Sequence, residues 1–291
     1  MPTITENRTI FLSSNWADDA TVTASSSNSS FPVSNLKTEP RRQSWRTTSI
    51  TNQYLTFDMG STKVFNAVCF VNHNFTQAGE YSIYGHDSNI FPGSTSSASF
   101  KLENQPFYPA FVGAGNYYAG FGGAGGVPSS EQLVLMGKTV IDTFDQSEYR
   151  YWHITFSDPT NSNGYLEIGR LVFGYAFQPQ INMDWGHDFE IVDPSVIQVT
   201  KGGGVVTDTG IIYRRKKSTF SFLSDSEKYF DFYNLIKTIG RSGNFVICYF
   251  PEAQESGRYF ETFYGKIERF SSLKQTALDT NSFSVTFREL V

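Results

Sequence analysis

Apolar and polar positions alternate along most of this chain with a period of two, the signature of strands whose side chains face opposite sides of a sheet. Residues 54–60 (YLTFDMG) set Leu55 and Phe57 against Tyr54, Thr56 and Asp58 and stop at Gly60, which predicts a half-buried strand. Residues 64–71 (VFNAVCFV) are almost continuously apolar, as a core strand is. Residues 80–85 (EYSIYG) alternate again, and further strands are predicted at 132–137 (QLVLMG), 149–156 (YRYWHITF) and 165–174 (YLEIGRLVFG). Residues 1–53 are rich in Ser, Thr and Asn, with little periodicity beyond Thr21–Ala24, and read as an extended arm with long loops. Residues 104–130 interleave glycines with aromatics; glycine is costly in a helix, so this stretch reads as a long surface loop.

The pattern changes near residues 175–181 (YAFQPQI), where a proline interrupts a mixed run, and this places a boundary between domains 1–178 and 179–291. The second domain opens with strands at 189–193 and 195–200, then a Gly-triplet loop (KGGG) and an alternating strand at 218–223. One helix is predicted, over 224–239. Ser224 and Glu227 have capping-box spacing, Tyr229, Phe232, Tyr233 and Ile236 fall on one face, and Gly240 follows. Strands resume at 244–250, 258–270 and 281–290. The fold class is therefore mainly β, two sheet-built domains with one helix as a plate on the second.

Composition narrows the function. A length of 291 residues suits two domains, and 27 Phe and 16 Tyr can fill large cores. The formal charge of −5 and the short basic clusters at 41–42 and 214–217 argue against nucleic acid. Cys69 and Cys248 lie in apolar runs and read as buried thiols, so nothing demands an oxidising compartment. The opening MPTITENRTIF does not read as a secretion signal, and no apolar run is long enough for a membrane span. His73, His86, His153 and His187 have no metal-ligand spacing and read as polar strand-end residues. Nucleophile-elbow, phosphate-loop and dinucleotide motifs are absent, and no acid pair stands out. The expectation is a non-catalytic protein without metal or cofactor.

Two features point to binding instead. Trp45 and Arg46 sit together in a polar loop before the 54–60 strand. An exposed Trp beside Arg stacks on a sugar ring and hydrogen-bonds its hydroxyls, while the competing reading makes Trp45 a plug at the bottom of a sandwich. The Gly-rich stretch carries Phe107, Tyr108, Phe111, Tyr117, Tyr118 and Phe121, an apolar patch that packs on a neighbouring subunit or contacts a ligand.

With these segments in place, residues 9–176 resemble the discoidin, or coagulation-factor C-type, domain. The resemblance lies in the order of PVSNLKTEPRRQSWRTTS, NQYLTFDMGSTKVFNAVCFVNHN, GEYSIYGHDS, EYRYWHITFSD and YLEIGRLVFG. It implies a jelly-roll β-sandwich that binds glycans or lipid head groups through loops at one end. The Cys pair that often staples such domains is missing, and the Gly/aromatic insertion is extra. Residues 180–291 resemble the sandwich-plus-helix of distal tail and tail-tube proteins of long-tailed bacteriophages. This likeness rests on STFSFL, SEKYFDFYNLIKTIG, NFVICYFPE, FYGKIERF and NSFSVTFREL. It implies a virion protein of the tail tip or baseplate, folded in the host cytoplasm. Its C-terminal domain would form a hexameric or trimeric ring beside tail-tube, hub and tape-measure proteins, with a host-surface glycan as partner of the N-terminal domain. The alternative is a stand-alone carbohydrate-binding adhesin module.

Overall fold

The structure is a computed structural model that describes residues 8–39, 43–108, 138–251 and 261–290. The chain divides into two compact units, Met1–Gln178 with Phe245–Phe263, and Pro179–Asn244 with Tyr264–Val291. The break at Gln178 falls in the proline-marked stretch. The second part of the chain is not one contiguous body, however, because Phe245–Phe263 belongs with the first unit.

The strands of the first half are β1 (Ile10–Leu12), β2 (Thr21–Ala24), β3 (Trp45–Arg46), β4 (Gln53–His73), β5 (Glu80–His86), β6 (Phe100–Pro106), β7 (Thr139–Ser157), β8 (Glu167–Gly174) and β9 (Ala176–Phe177). Those of the second are β10 (Asp188–Val192), β11 (Val196–Val199), β12 (Val205–Asp208), β13 (Tyr213–Leu223), β14 (Phe245–Cys248), β15 (Thr262–Phe270), β16 (Lys274–Ala277) and β17 (Thr280–Glu289).

In the first unit the strand order is β3-β8-β4-β7-β5-β6, with β2 on β4, all antiparallel. The long β4 serves two neighbourhoods. Its early residues pair with β2, its later ones with β8, and its register against β7 slips between Asp58 and Lys63. Alternation sends Leu55, Phe57, Ile83, Ile154 and Phe156 into one core, where each is at most 2 % exposed. The arm-and-loop expectation for residues 1–53 is corrected here. Ile10–Leu12 is a buried strand between β14 and β9, and Leu36 is buried from a 3-10 turn, Val33–Lys37. Three apolar residues are too few to show a period, so pattern alone passes over β1. Cys69 and Cys248 are both buried, each as a thiol.

In the second unit β10-β13-β17-β15 form the sheet, β16 pairs with β17, and β11 with β12 makes a separate hairpin closed by the Gly-triplet turn. The helical segment covers 225–238, a π-helical turn Glu227–Phe232 running into α1 (Tyr233–Thr238). Its cap is the expected box: Ser224 Oγ donates to Glu227 Oε2 at 2.7 Å, and the Glu227 N–H donates back to Ser224 Oγ. Its buried face differs from the expected one. Phe232, Leu235 and Ile239 turn inward, with Phe232 against Phe220 and Phe283, whereas Tyr229 and Tyr233 are exposed. The inward residues keep the 3-and-4 spacing of an α-helix, but the face they form is turned toward Leu235 and Ile239 and away from the two tyrosines. The chain is thus mainly β, with one α/π-helical segment among the described residues.

Candidate functional site

The outward face of the first sheet is set by the same alternation that fills the core. Cross-strand register lines up Tyr54, Thr155 and Ser82 on β4, β7 and β5, and beside them Thr56, His153 and Tyr84. A loop between β5 and β6 folds over the second row. Phe91 stacks on His153 at 5.2 Å and 8°, with Ala98 beside it, and the Tyr54 ring also leans on His153, tilted, at 5.0 Å. A 2.9 Å hydrogen bond joins Thr56 Oγ1 and His153 Nδ1. Burial between these rings holds the His153 pKa down at about 4, so the imidazole is neutral at physiological pH.

The first row stays open. It floors a recess of about 410 Å³ walled by Asn52, Glu80, Pro92, Thr95, Asn104 and Ser157. That volume falls within the range of about 300–1,000 Å³ usual for small-ligand sites. Both asparagines have left-handed backbones, Asn52 at φ 54° and Asn104 at φ 53°. Asn104 owes its position to a bulge. β6 slips against β5 between Tyr81 and Ile83, and the Asn104 N–H donates to Ser82 Oγ at 2.9 Å. Left-handed non-glycine residues cost free energy and gather where a side chain must be aimed; here two of them edge one recess.

The side chains of this recess fall into two groups. Gln53 is engaged, accepting from Ser25 and Ser26 and donating to the Thr51 carbonyl, and Ser82 and His153 are engaged as above. The Asn52 and Asn104 amides, the Tyr54, Thr95, Thr155 and Ser157 hydroxyls and the Glu80 carboxylate make no protein hydrogen bond among the described residues. Unengaged donors and acceptors around one aromatic ring are what a polyhydroxylated ligand with an apolar face requires.

The residues expected from the sequence lie elsewhere. Trp45 is fully buried beside Phe156, its indole N–H donating to the Ser26 carbonyl and Ser27 Oγ, so it has no face for a sugar and is the sandwich plug. The Arg46 guanidinium lies 3.8 Å over Phe31 and pairs with Glu167, which occupies it structurally. Phe107 and Tyr108 are core residues rather than an exposed patch, with Phe107 stacked 3.8 Å from Phe75. Phe111, Tyr117, Tyr118 and Phe121 lie outside the described residues. His73 does end β4 and His153 lies within β7, but both are buried rather than exposed polar positions. Pattern alone passes over Tyr54, because it marks Tyr54 only as the outward half of a strand; its row partners come from β5 and β7, and register is not written in periodicity. Among the described residues no group of three or more His, Cys, Asp or Glu could hold a metal, and no helix is long and apolar enough to cross a membrane.

No family model matches the sequence, and no curated protein does. Solved structures similar in fold include carbohydrate-binding modules that align with a little over half the chain. Chitosan-binding module 1 of a chitosanase/glucanase from Paenibacillus sp. IK-5 is 16% identical, covering 56% of this chain and 99% of its own, at a TM-score of 0.35. The CBM32 of AlyQ, solved with 4,5-unsaturated mannuronic acid, is 19% identical over 53% of this chain and 94% of its own, at 0.35. CpGH89CBM32-5 from Clostridium perfringens, solved with GalNAc-β-1,3-galactose, is 9% identical over 56% of this chain and all of its own (100%), at 0.36.

Proposed function

We propose that this chain is a non-catalytic glycan-binding protein whose first unit takes a sugar into the recess over Tyr54, Thr155 and Ser82. The carrying observation is the convergence of unengaged amide, hydroxyl and carboxylate groups around the Tyr54 ring in a preformed recess. A pyranose offers C–H groups to an aromatic ring and hydroxyls to its rim, and the two sets match. Among the described residues Glu80 is the only carboxylate lining the recess, where glycoside hydrolysis uses a pair. The pocket, rather than likeness at the fold level, supports this reading. A glycan array on the full chain, followed by calorimetry on the best ligand, tests it. Tyr54→Ala and Thr155→Val are expected to weaken binding at least tenfold, with thermal unfolding little changed. Retention of no glycan, or wild-type affinity in Tyr54→Ala, overturns it.

A finer reading concerns the second unit: a structural role in a phage tail tip or baseplate, within the virion, in which copies of this unit form a ring. The β11–β12 hairpin favours it. Ile197, Val199 and Val205 share one face with Thr207 and are 64–69 % exposed. A two-stranded hairpin is marginal alone in water, so such a face calls for cover. Closed rings seen by electron microscopy of the full chain are the expected result; a strict monomer at all concentrations counts against it.

A further inference from the structure

The outward face of the second unit's sheet carries a recess of about 250 Å³ whose lining is almost wholly charged: Asp188, Glu190, Arg215, Lys217, Glu268 and Arg269, with Thr286. Register orders them. One row runs Asp188, Lys217, Thr286 and Arg269 across β10, β13, β17 and β15, each the direct neighbour of the next. The place of Arg269 depends on a bulge. β15 slips against β17 between Ile267 and Arg269, so Glu268 is the extra residue, and Glu268 and Arg269 both line the recess. Strict alternation would put successive residues on opposite faces; bulges re-aim side chains in this way.

The six charges sum to zero, three cations against three carboxylates, but they pair unevenly. Arg215 engages two carboxylates, Glu190 at 2.6 Å through Nη2 and Glu268 at 3.3 Å through Nη1. The remaining row holds Lys217 and Arg269 against Asp188. Neither cation has a carboxylate within ion-pair distance among the described residues, and the Thr286 hydroxyl between them makes no protein hydrogen bond there. Strands about 4.8 Å apart put the Lys217 and Arg269 backbones roughly 10 Å from each other, with the hydroxyl midway. Two long flexible cations at that separation can close on one anionic group and give it both charge-assisted contacts and a neutral donor.

We infer that this recess binds an anionic group, a carboxylate, sulfate or phosphate, held between Lys217 and Arg269 over Thr286. The site lies on a different unit from the Tyr54 recess and stands or falls separately. Calorimetry of the full chain with inorganic phosphate and with an oligogalacturonate, at 20 and 200 mM salt, tests it and tells the sources apart. Binding of either probe is expected, weakening with salt, lost at least tenfold in Lys217→Gln with Arg269→Gln, and strengthened severalfold in Asp188→Asn, which removes the opposing charge. Tyr54→Ala is expected to leave it unchanged. Phosphate alone binding assigns a phosphorylated ligand, and the uronate alone an acidic glycan. No binding of either probe at low salt, or binding indifferent to the Lys217/Arg269 double variant, overturns the inference.

Discussion

Two histidines illustrate how far a single residue's environment departs from what its letter suggests. In the sequence His73 and His153 look like polar residues near strand ends. In the structure His73 is enclosed by Phe75, Phe107 and Tyr108, accepts the Phe75 N–H at Nδ1, and leaves Nε2 buried with no hydrogen-bond partner among the described residues. Burial pushes its pKa down to about 3, as it pushes that of His153 to about 4. Because both folded values lie below the ordinary 6.5, the unfolded chain takes up protons that the folded chain refuses once pH drops below that value. Stability is therefore complete above about pH 6.5 and is lost as pH falls toward 4 and 3. Each imidazole costs roughly 1.4 kcal/mol per pH unit below 6.5, so the two together cost on the order of 4 kcal/mol at pH 5. Asp231, on the second unit, works in the opposite sense. Burial and the neighbouring Glu227 raise it to about 6, and the stability it adds at low pH disappears as pH rises from 3.8 through that value. Urea titrations at about pH 8, 7, 6 and 5 are expected to give similar midpoints at the first two and falling ones at the last two, with a shallower fall in His73→Gln. Midpoints that hold steady down to about pH 5 refute the assignment of both imidazoles as neutral core groups.

At the level of elements, the helical segment separates what local chemistry writes into a sequence from what packing decides. The cap was legible because Ser224 and Glu227 act through a three-residue spacing, and the hydrogen bonds between them are present. The buried face was not, because the tyrosines and the pair Leu235 and Ile239 offer two overlapping apolar faces, and packing of Phe232 on Phe220 and Phe283 selects the second, leaving Tyr229 and Tyr233 in solvent. Glu227 shows why the cap matters beyond the helix. It is 4 % exposed, and its second oxygen accepts the Gln180 N–H at 2.6 Å, so one carboxylate fastens both the helix start and the chain entering this unit. Ser224→Ala removes a cap hydroxyl and should cost about 1 kcal/mol. Glu227→Ala also leaves the part-buried N–H groups of Ser224 and Gln180 without their acceptor and should cost roughly 2 kcal/mol. Chemical denaturation of the two variants is the check; an equal loss in both would show that the bond to Gln180 contributes nothing. The strands follow the same division. Tyr54, Ser82 and Thr155 were each legible as outward positions, while their meeting in one row depends on pairing across three strands, and the Asn104 bulge that edges the recess has no periodic signature.

For the molecule as a whole, the two units are not the two contiguous stretches that the sequence suggests, because Phe245–Phe263 returns to the first unit. NFVICYF reads as a core strand wherever it is placed; only a partner far away in sequence, Ile10–Leu12, determines which core it enters. The β11–β12 hairpin is one part of this architecture whose apolar surface stays exposed. Val196, Gln198, Val206 and Asp208 make its mixed face, and Ile197, Val199, Val205 and Thr207 its apolar one. A net charge of −5 spread over 291 residues is too weak a repulsion to keep such a face from finding cover. The same exposure makes the hairpin separable by mutation. Ile197→Lys with Val205→Lys touches no packed core, so thermal unfolding should shift by no more than about 1 kcal/mol equivalent. If copies of the chain assemble through this face, mass photometry of the wild type should show species larger than one chain, growing with concentration, while the double variant stays at the 32.7 kDa monomer. Assembly that persists in the variant would move the interface elsewhere on the second unit, and a wild type that never associates would remove the ring reading while leaving the sugar recess of the first unit untouched.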